Sequence, residues 1–136
     1  MAATISKPIP VPTRETKTYW EGCKAHELRI QRCEACGHYQ FYPRIYCTQC
    51  MSDRVEWVKA SGRAKVLSYT IVHRAVSPGF AGDIPYVVAL VTLDEGPTMM
   101  TNLVGCAPEQ LKIGMGVAVT FEDWTEEISI PKFRPV

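Results

Sequence analysis

The 136-residue chain has neither an excess of charge of one sign nor a long apolar segment. Its 15 basic and 14 acidic residues leave a net charge of +1, so the charge balance does not favour nucleic acid as a partner. No apolar run approaches the ~20 residues that a membrane-spanning helix needs. The first residues also lack the compact apolar segment of a secretory signal, so we expect a cytoplasmic protein without membrane contact.

The sequence has few of the residues that usually carry catalysis. Its three histidines, His26, His38 and His73, are scattered along the chain. No nucleophile elbow, phosphate-binding loop or carboxylate pair at a catalytic spacing is present. An enzyme acting by itself is therefore the least supported function. His38 follows Gly37 at a cysteine pair, where its ring could instead hydrogen-bond to a metal-bound sulfur.

Four of the six cysteines form two C-x-x-C pairs, Cys33/Cys36 and Cys47/Cys50, with residues 37–46 between them. Each turn directs two sulfurs at one point, and four thiolates match tetrahedral Zn²⁺ with no open position for substrate. We therefore predict one structural zinc ion. A single iron, an iron–sulfur cluster and two disulfides remain alternatives. The other cysteines, Cys23 and Cys106, are predicted to be small buried side chains.

The segment before the first cysteine pair is predicted to be an arm followed by a helix. Prolines exclude a helix from residues 1–17 and favour extended backbone there. A short helix over about residues 18–27 would begin in a capping box of Thr18 and Glu21. Tyr19 and Trp20 lie in this helix, and two large rings on so short an element must be buried on this chain or on another protein.

The cysteine pairs are predicted to lie in a small antiparallel sheet. A strand leads into Cys33, the aromatic-rich residues 39–45 favour a β-hairpin that spans the gap between the pairs, and a third strand covers residues 55–60. The helix and this zinc ribbon together form a module over residues 18–60. Metal binding must supply much of its folding free energy, because the module buries little apolar surface.

Residues 61–136 are predicted to be β-structure throughout, after the turn signal Ser61-Gly62. Strands are expected over residues 64–73, 86–93, 98–104, 117–124 and 128–133, with a Gly/Pro-rich loop at 74–85 and a helical turn at 108–113. This is the element order of an OB-fold, a small and partly open barrel. The predicted fold class is mainly β, with an N-terminal helix and zinc ribbon followed by a five-stranded OB-fold barrel.

A set of short motifs extends along residues 18–135. It comprises Tyr19-Trp20, Leu28-x-x-Gln31-x-Cys33-x-x-Cys36-Gly37, Phe41-Tyr42-Pro43-Arg44, Cys47-x-x-Cys50, Gly62-x-Ala64, Ser68-Tyr69-Thr70, Pro85-Tyr86, Ile113-Gly114 and Pro131-x-Phe133. With these motifs the sequence resembles the DUF35 proteins, which pair a rubredoxin-like zinc ribbon with an OB-fold. Gly116 departs from the pattern, because it places a second glycine before the fourth barrel strand, but it leaves the zinc site unaffected.

The resemblance implies a non-catalytic accessory subunit. Members of the family accompany thiolase-like enzymes: thiolases, hydroxymethylglutaryl-CoA synthase-type enzymes and aldolases that cleave CoA thioesters. They form hetero-oligomers in which the catalytic group belongs to the partner. For this chain the resemblance implies a thiolase-like catalytic subunit as partner, in a hetero-oligomer such as a heterotetramer. It also implies acyl-CoA or CoA as a ligand of the complex.

Two groups of residues are candidates for contacts in such a complex. Tyr19 and Trp20 would contact the catalytic subunit if the ribbon orients the helix for docking. The barrel would then face the thioester, whose phosphates need cations. The candidates for contacts with CoA are the basic residues of the barrel half and one loop aromatic, namely Arg63, Lys65, Arg74, Phe80, Lys132 and Arg134.

Binding of single-stranded nucleic acid is the alternative function. OB-folds bind single strands through aromatic side chains and a basic groove. The ribbon does interleave aromatics with a basic residue, in Tyr39, Phe41, Tyr42, Arg44 and Tyr46. The balanced charge and the few basic residues on the strands count against this alternative.

Overall fold

The computed structural model describes residues 7–136, so part of the predicted arm, residues 1–6, lies outside the described residues. One α-helix and eight strands follow in the order α1 (Lys17–Lys24), β1 (Arg29–Cys33), β2 (Tyr39–Gln40), β3 (Val55–Lys59), β4 (Arg63–Val72), β5 (Tyr86–Leu93), β6 (Thr98–Leu103), β7 (Gly116–Asp123) and β8 (Ser129–Pro135). Single 3₁₀ turns lie at Pro78–Phe80 and Pro108–Gln110. Within residues 7–136, no helix combines the length and apolar character needed to cross a membrane.

The helix begins and ends earlier than predicted, and the predicted capping box is wrong. Thr16 occupies the N-cap position without a side-chain cap hydrogen bond. Its hydroxyl instead accepts a hydrogen bond from the backbone N–H of Thr13 at 2.8 Å, within the preceding turn. The chain leaves the helix after Lys24, and His26 adopts a left-handed φ of 59°. The buried face of α1 consists of Tyr19, Gly22 and Cys23.

The ribbon is a three-stranded antiparallel sheet in the order β2-β1-β3. Strands β1 and β3 pair over their full lengths, whereas β2 has only two residues, Tyr39 and Gln40, opposite Arg32 and Gln31. The predicted hairpin across the gap between the cysteine pairs is therefore wrong, because residues 41–54 contain no strand. Pro43 cannot donate a ladder hydrogen bond, and buried side chains bind the backbone of this loop instead.

The barrel has the predicted five strands and is closed, in the order β4-β5-β6-β8-β7. Neighbouring strands are antiparallel except β6 and β8, which are parallel and meet at Leu103 and Phe133. The prediction of a partly open barrel was thus wrong in this detail. The barrel belongs to the OB-fold type, since the helical turn at Pro108–Gln110 lies between its third and fourth strands.

A bulge in β4 explains why both faces of this strand carry apolar residues. The register to β5 shifts between Val66 and Ser68. Before the bulge Ala64 and Val66 are buried, whereas Leu67 is 50% exposed. Beyond it Tyr69 and Ile71 pack partly buried against the core. One extra residue moves the inward-facing positions from even to odd numbers.

One hydrophobic core is shared by the helix, the ribbon and the barrel. Tyr19 and Cys23 of α1 and Ile30 of β1 belong to the same cluster of buried residues as Val91 and Phe133 of the barrel. The prediction of a buried side chain is confirmed for Cys23, and burial raises the pKa of its thiol to about 11. Cys106 is only partly buried against this core.

A polar contact also joins the helix module to the barrel. His26 Nε2 lies 2.9 Å from Asp123 Oδ1 at the end of β7, and the imidazole stacks on Phe121 with 5.2 Å between ring centres. The hydroxyl of Ser129 donates to the same carboxylate oxygen. This arrangement is not a catalytic triad, because the aspartate lies between the other two groups and Ser129 is fully buried.

We expect the Asp123 contact to make stability depend on pH in acid. The hydrogen bond with His26, followed by that from Ser129, lowers the pKa of Asp123. Because the pKa of Asp123 is lower in the folded state, its ionised form stabilises the fold at any pH above the unfolded-state pKa of ~3.9. This stabilisation is lost as the pH falls through the folded-state pKa. Below about pH 4, the unfolding free energy of Asp123→Asn should therefore decrease less with falling pH than that of the wild type. Urea denaturation at a series of pH values measures this decrease.

Asp94→Asn is the matched control, since the Asp94 carboxylate has no hydrogen bond or ion pair with the described residues. Protonation of metal ligands affects both variants equally. Identical acid profiles for the two variants would show that the His26–Asp123 contact does not contribute to stability.

Candidate metal centre

The four predicted metal ligands lie together at one end of the ribbon. The sulfurs of Cys33, Cys36, Cys47 and Cys50 are all within 4.8 Å of one another. Across the two pairs, Cys33 Sγ is 3.6 Å from Cys50 Sγ and Cys36 Sγ is 3.7 Å from Cys47 Sγ. Four sulfurs at ~2.3 Å from a tetrahedral metal would be roughly 3.8 Å apart. The quartet therefore fits a single ion of this kind, and all four thiols are free, which excludes the disulfide alternative.

The two turns that present the cysteines have the same backbone geometry. Gly37 N donates to Cys33 O at 2.8 Å, and Met51 N donates to Cys47 O at 3.0 Å. Both residues adopt left-handed backbone, with φ of 79° at Gly37 and 66° at Met51. Glycine takes this conformation without steric cost, whereas methionine does not. Met51 in the turn of Cys47 and Cys50 therefore corresponds to Gly37 in the turn of Cys33 and Cys36.

Backbone N–H groups of these turns favour the thiolate form that a metal requires. The N–H of Cys36 points to Cys33 Sγ at 3.5 Å and lowers the pKa of Cys33 to about 7. The N–H groups of Cys50 and Gln49 lie 3.4 and 3.3 Å from Cys47 Sγ and lower the pKa of Cys47. Cys33 and Cys47 are buried whereas Cys36 and Cys50 are exposed, so the ion would lie at the ribbon surface.

Two buried glutamines hold the loop that carries the second cysteine pair. Gln31 Oε1 accepts from Arg44 N at 2.8 Å, and Gln31 Nε2 donates to Arg44 O at 2.9 Å. Gln40 Oε1 accepts from Thr48 N at 2.9 Å, while Gln40 Nε2 donates to Tyr46 O at 3.2 Å and to Gln31 Oε1 at 2.8 Å. These contacts replace the predicted hairpin. The sequence offers no periodic signal for them, although Gln31 falls within a family motif.

The imidazole rings of His26 and His38 make their hydrogen bonds away from the cysteine sulfurs. The predicted hydrogen bond from His38 to a sulfur is wrong, since its ring lies 3.4 Å from the hydroxyl of Thr48. His38 supports the site through its backbone instead, because its carbonyl accepts from Cys33 N at 2.8 Å. His26 pairs with Asp123 on the barrel side, and His73 is exposed.

Two of the candidate CoA contacts meet in a pocket on the barrel. Phe80 and Lys132 line a cavity of about 300 Å³ together with Asp83, Tyr86, Asn102 and Cys106 among others. The ammonium of Lys132 lies 3.0 Å from Glu122 Oε2, and its side chain is 14% exposed. The phenyl ring of Phe80 is tilted against Tyr86, with 5.9 Å between ring centres. The pocket thus combines an aromatic wall with a largely buried cation that is paired with a carboxylate.

The remaining basic candidates lie elsewhere. Arg63 of β4 and Arg134 of β8 both lie opposite Ala118 of β7, so the two guanidinium groups share one outer face of the barrel. Lys65 lies opposite Gly116 beside them. Arg74 is exposed in the loop after β4. The six candidates therefore form two groups and one separate residue rather than a single site.

The predicted aromatic contacts are partly used within the chain. Tyr19 is 3% exposed and packs against Trp20, Phe41 and Tyr42 with ring centres 4.9, 5.5 and 6.0 Å away. Trp20 is only partly buried and lines a groove beside the arm. The ring of Tyr42 is also covered by the Arg44 guanidinium at 5.8 Å. These aromatics pack on one another, although Tyr42 remains 40% exposed.

Loss of one ligand should release the metal. We expect the wild-type chain to contain about one zinc ion, measured by elemental analysis after purification without chelator. Cys47→Ser should reduce the metal content to near zero and unfold the ribbon, because three sulfurs leave the ion under-coordinated. Cys106→Ser is the control, since Cys106 lies outside the quartet. Full metal content in Cys47→Ser would contradict the assignment of ligands.

Removal of a buried glutamine should weaken the ribbon without removing a ligand. Gln40→Ala leaves the N–H of Thr48 and the carbonyl of Tyr46 without their partners, which should cost roughly 1–3 kcal/mol of unfolding free energy. Zinc should also transfer faster to a competing chelator. Gln49→Ala is the matched control, since Gln49 is exposed and its side chain has no hydrogen bond to the described residues. Equal zinc-transfer rates in the two variants would contradict a supporting role for Gln40.

Two family profiles match consecutive parts of the chain. The profile described as "ChsH2, rubredoxin-like zinc ribbon domain" matches residues 20–56. The profile described as "ChsH2, C-terminal OB-fold domain" matches residues 57–122. Both architectures agree with the ribbon and the barrel of the structure.

Curated relatives carry names from CoA-thioester metabolism or are named as scaffolds. A probable enoyl-CoA hydratase alpha subunit of Thermomonospora curvata is 40% identical over 95% of this chain and 40% of its own length. The benzoylsuccinyl-CoA thiolase subunit BbsA of Geobacter metallireducens is 35% identical over 57% of this chain and 51% of its own length. The chain thus spans well under two thirds of either relative. A DUF35 domain-containing scaffold protein of Pyrococcus furiosus is 35% identical over 97% of both chains.

A solved structure shows the same fold over nearly the whole chain. The chain described as "Ltp2-ChsH2(DUF35) aldolase" is 40% identical and superposes with a TM-score of 0.83 over 93% of this chain and 98% of that chain. The agreement extends through ribbon and barrel, and the scaffold protein of Pyrococcus furiosus matches over 97% of both chains. This protein belongs to the DUF35 family.

Proposed function

We propose that the chain is a non-catalytic, zinc-binding accessory subunit of a thiolase-like enzyme that acts on CoA thioesters. The relatives named as a thiolase subunit, a hydratase alpha subunit and part of an aldolase assembly support this proposal. So does the metal site, because four sulfurs around one ion leave no position for substrate. Zinc is the proposed ion, consistent with the zinc-ribbon profile.

The observation that carries the proposal is an exposed apolar surface beside the second cysteine pair. Ile45 is 58%, Tyr46 52% and Met51 71% exposed, and all three line a shallow depression next to Cys47. We call these three residues the ribbon patch. Met51 also has a left-handed backbone that glycine would adopt more easily. A large apolar side chain at such a position is better explained by binding than by stability.

The helix is the second part of the proposed docking surface. Trp20 is partly exposed, so its indole is available for a contact with a catalytic subunit. Tyr19 lies beneath it and packs on Phe41 and Tyr42 of the ribbon. We therefore propose that Tyr19 supports the docking surface from below, while Trp20 and the ribbon patch contact the partner.

The barrel is proposed to receive part of the CoA thioester. The pocket with Phe80 and Lys132 has an aromatic wall for an adenine or acyl group and a cation for a phosphate. Arg63 and Arg134 would contact phosphate only from the outer face of the barrel. Nucleic acid remains the alternative occupant of that basic face. It is less favoured, because the net charge of +1 offers no bulk attraction for a polyanion.

Affinity purification of the full-length chain from its native cell tests the proposal. We expect a thiolase-like protein to co-purify with the wild type, as identified by mass spectrometry. Met51→Gly should reduce its recovery by about tenfold or more, because one buried apolar anchor often dominates an interface. The same change should leave the melting temperature unchanged or raised, since glycine relieves the backbone at this position.

Met100→Ala is the matched control, since Met100 is 68% exposed on the barrel and lies outside the ribbon patch. It should retain the partner. Recovery of DNA or RNA without any thiolase-like protein would overturn the proposal in favour of nucleic-acid binding. Equal recovery with Met51→Gly and Met100→Ala would show that the ribbon patch is not the docking surface.

A further inference from the structure

The side chain of Lys7 binds the N-terminal arm to the barrel. Its ammonium lies 2.9 Å from Asp83 Oδ2. The same group lies 5.4 Å from the ring centre of Phe80 and 5.8 Å from that of Trp124. The Lys7 side chain is only 22% exposed. Two aromatic rings and a carboxylate around a cation form an arrangement that recognises an ammonium group.

The three groups around Lys7 come from two separate parts of the barrel. Phe80 and Asp83 lie in the loop between β4 and β5, whereas Trp124 follows β7. Phe80 and Asp83 also line the barrel pocket. The indole N–H of Trp124 donates to Glu122 Oε1 at 3.0 Å, and Glu122 lines the same pocket. Lys7 therefore connects both sides of the pocket rim, although it does not line the pocket itself.

The arm also determines the charge of the rim. The pocket is lined by two carboxylates, Asp83 and Glu122, and by one ammonium, that of Lys132. Lys132 pairs with Glu122 at 3.0 Å, and Lys7 pairs with Asp83 at 2.9 Å. Without Lys7, Asp83 would face the pocket uncompensated and repel an anionic ligand such as a phosphate.

We propose that Phe80, Trp124 and Asp83 form an ammonium-binding site whose occupant is the chain's own Lys7, and that Lys7 is thereby a positioning residue for ligands of the barrel pocket. The ammonium site is inferred only from the contacts of Lys7. The effect on a ligand depends in addition on the proposed function, in which the barrel contacts CoA. The two parts are therefore tested separately.

The occupancy of the site is measurable by NMR on the zinc-loaded, full-length chain without ligand. Protons of the Lys7 side chain that lie over the two rings should be shifted upfield by the ring currents. Asp83→Asn should reduce this shift, because the carboxylate no longer holds the ammonium. Lys112 is exposed and provides an internal reference. Lys7 resonances at the positions of Lys112 would overturn the ammonium site.

The positioning role predicts a change in the rim that needs no ligand. In Lys7→Ala the amides of residues 80–83 should become more mobile in relaxation measurements, whereas Lys7→Arg should keep them ordered, because arginine retains the charge and stacks on rings. Unchanged mobility in Lys7→Ala would overturn the positioning role.

Titration with CoA then tests the effect on binding. Lys7→Ala should weaken binding to the chain by about two- to fivefold, the upper part of the range for one partly exposed ion pair. Lys7→Arg should bind CoA like the wild type. The double variant that combines Lys7→Ala with Asp83→Asn should bind CoA more tightly than Lys7→Ala alone, because it lacks the uncompensated carboxylate. Equal affinity of wild type and Lys7→Ala would overturn the positioning role. If CoA binds to none of the variants while the upfield shift is present, the proposed CoA contact is wrong and the ammonium site stands.

Discussion

The convergence of four sulfurs on one point is the constraint on which the ribbon depends. Its sheet is small: β2 has two residues, and residues 41–54 contain no strand. Such a segment cannot order itself by burial of apolar surface alone, so a bound ion and the Gln31–Gln40 contacts must fix its path. The ordered loop in turn exposes Ile45, Tyr46 and Met51. A metal ion held by the quartet would therefore determine the proposed docking surface by ordering this loop.

The features predicted correctly from sequence are those with local signals. The two C-x-x-C pairs lie close together along the chain, and each pair forms its own turn, so their spacing was sufficient to identify the quartet. The five barrel strands were predicted because each has a run of β-forming residues, and Gly, Pro or acidic residues follow most of these runs closely. The bulge in β4 leaves only one trace in the sequence, namely apolar residues on both faces of the strand, and a covered outer face would give the same pattern.

The features that were missed depend on contacts between distant residues. The hydrogen bond between His26 and Asp123 spans 97 positions, and the Lys7 ammonium pairs with Asp83 in the loop between β4 and β5. No periodicity encodes such pairs. The hairpin prediction failed for a related reason, because Gln31 and Gln40 satisfy the loop backbone through side chains that a strand pattern does not reveal. Local capping chemistry failed as well, since the Thr16 hydroxyl binds the preceding turn.

The shared core makes the two modules one mechanical unit. Tyr19 and Cys23 of α1 pack in the same cluster as Val91 and Phe133 of the barrel, so the helix cannot move without disturbing barrel side chains. Cores are closely packed and resist such changes in volume. The polar contacts at the surface, in contrast, are exposed and individually weak, as the 50% and 56% exposure of His26 and Asp123 shows. A partner on the proposed ribbon patch would therefore act on the barrel chiefly through the packing of α1, whereas the arm contacts the rim of the pocket only through Lys7.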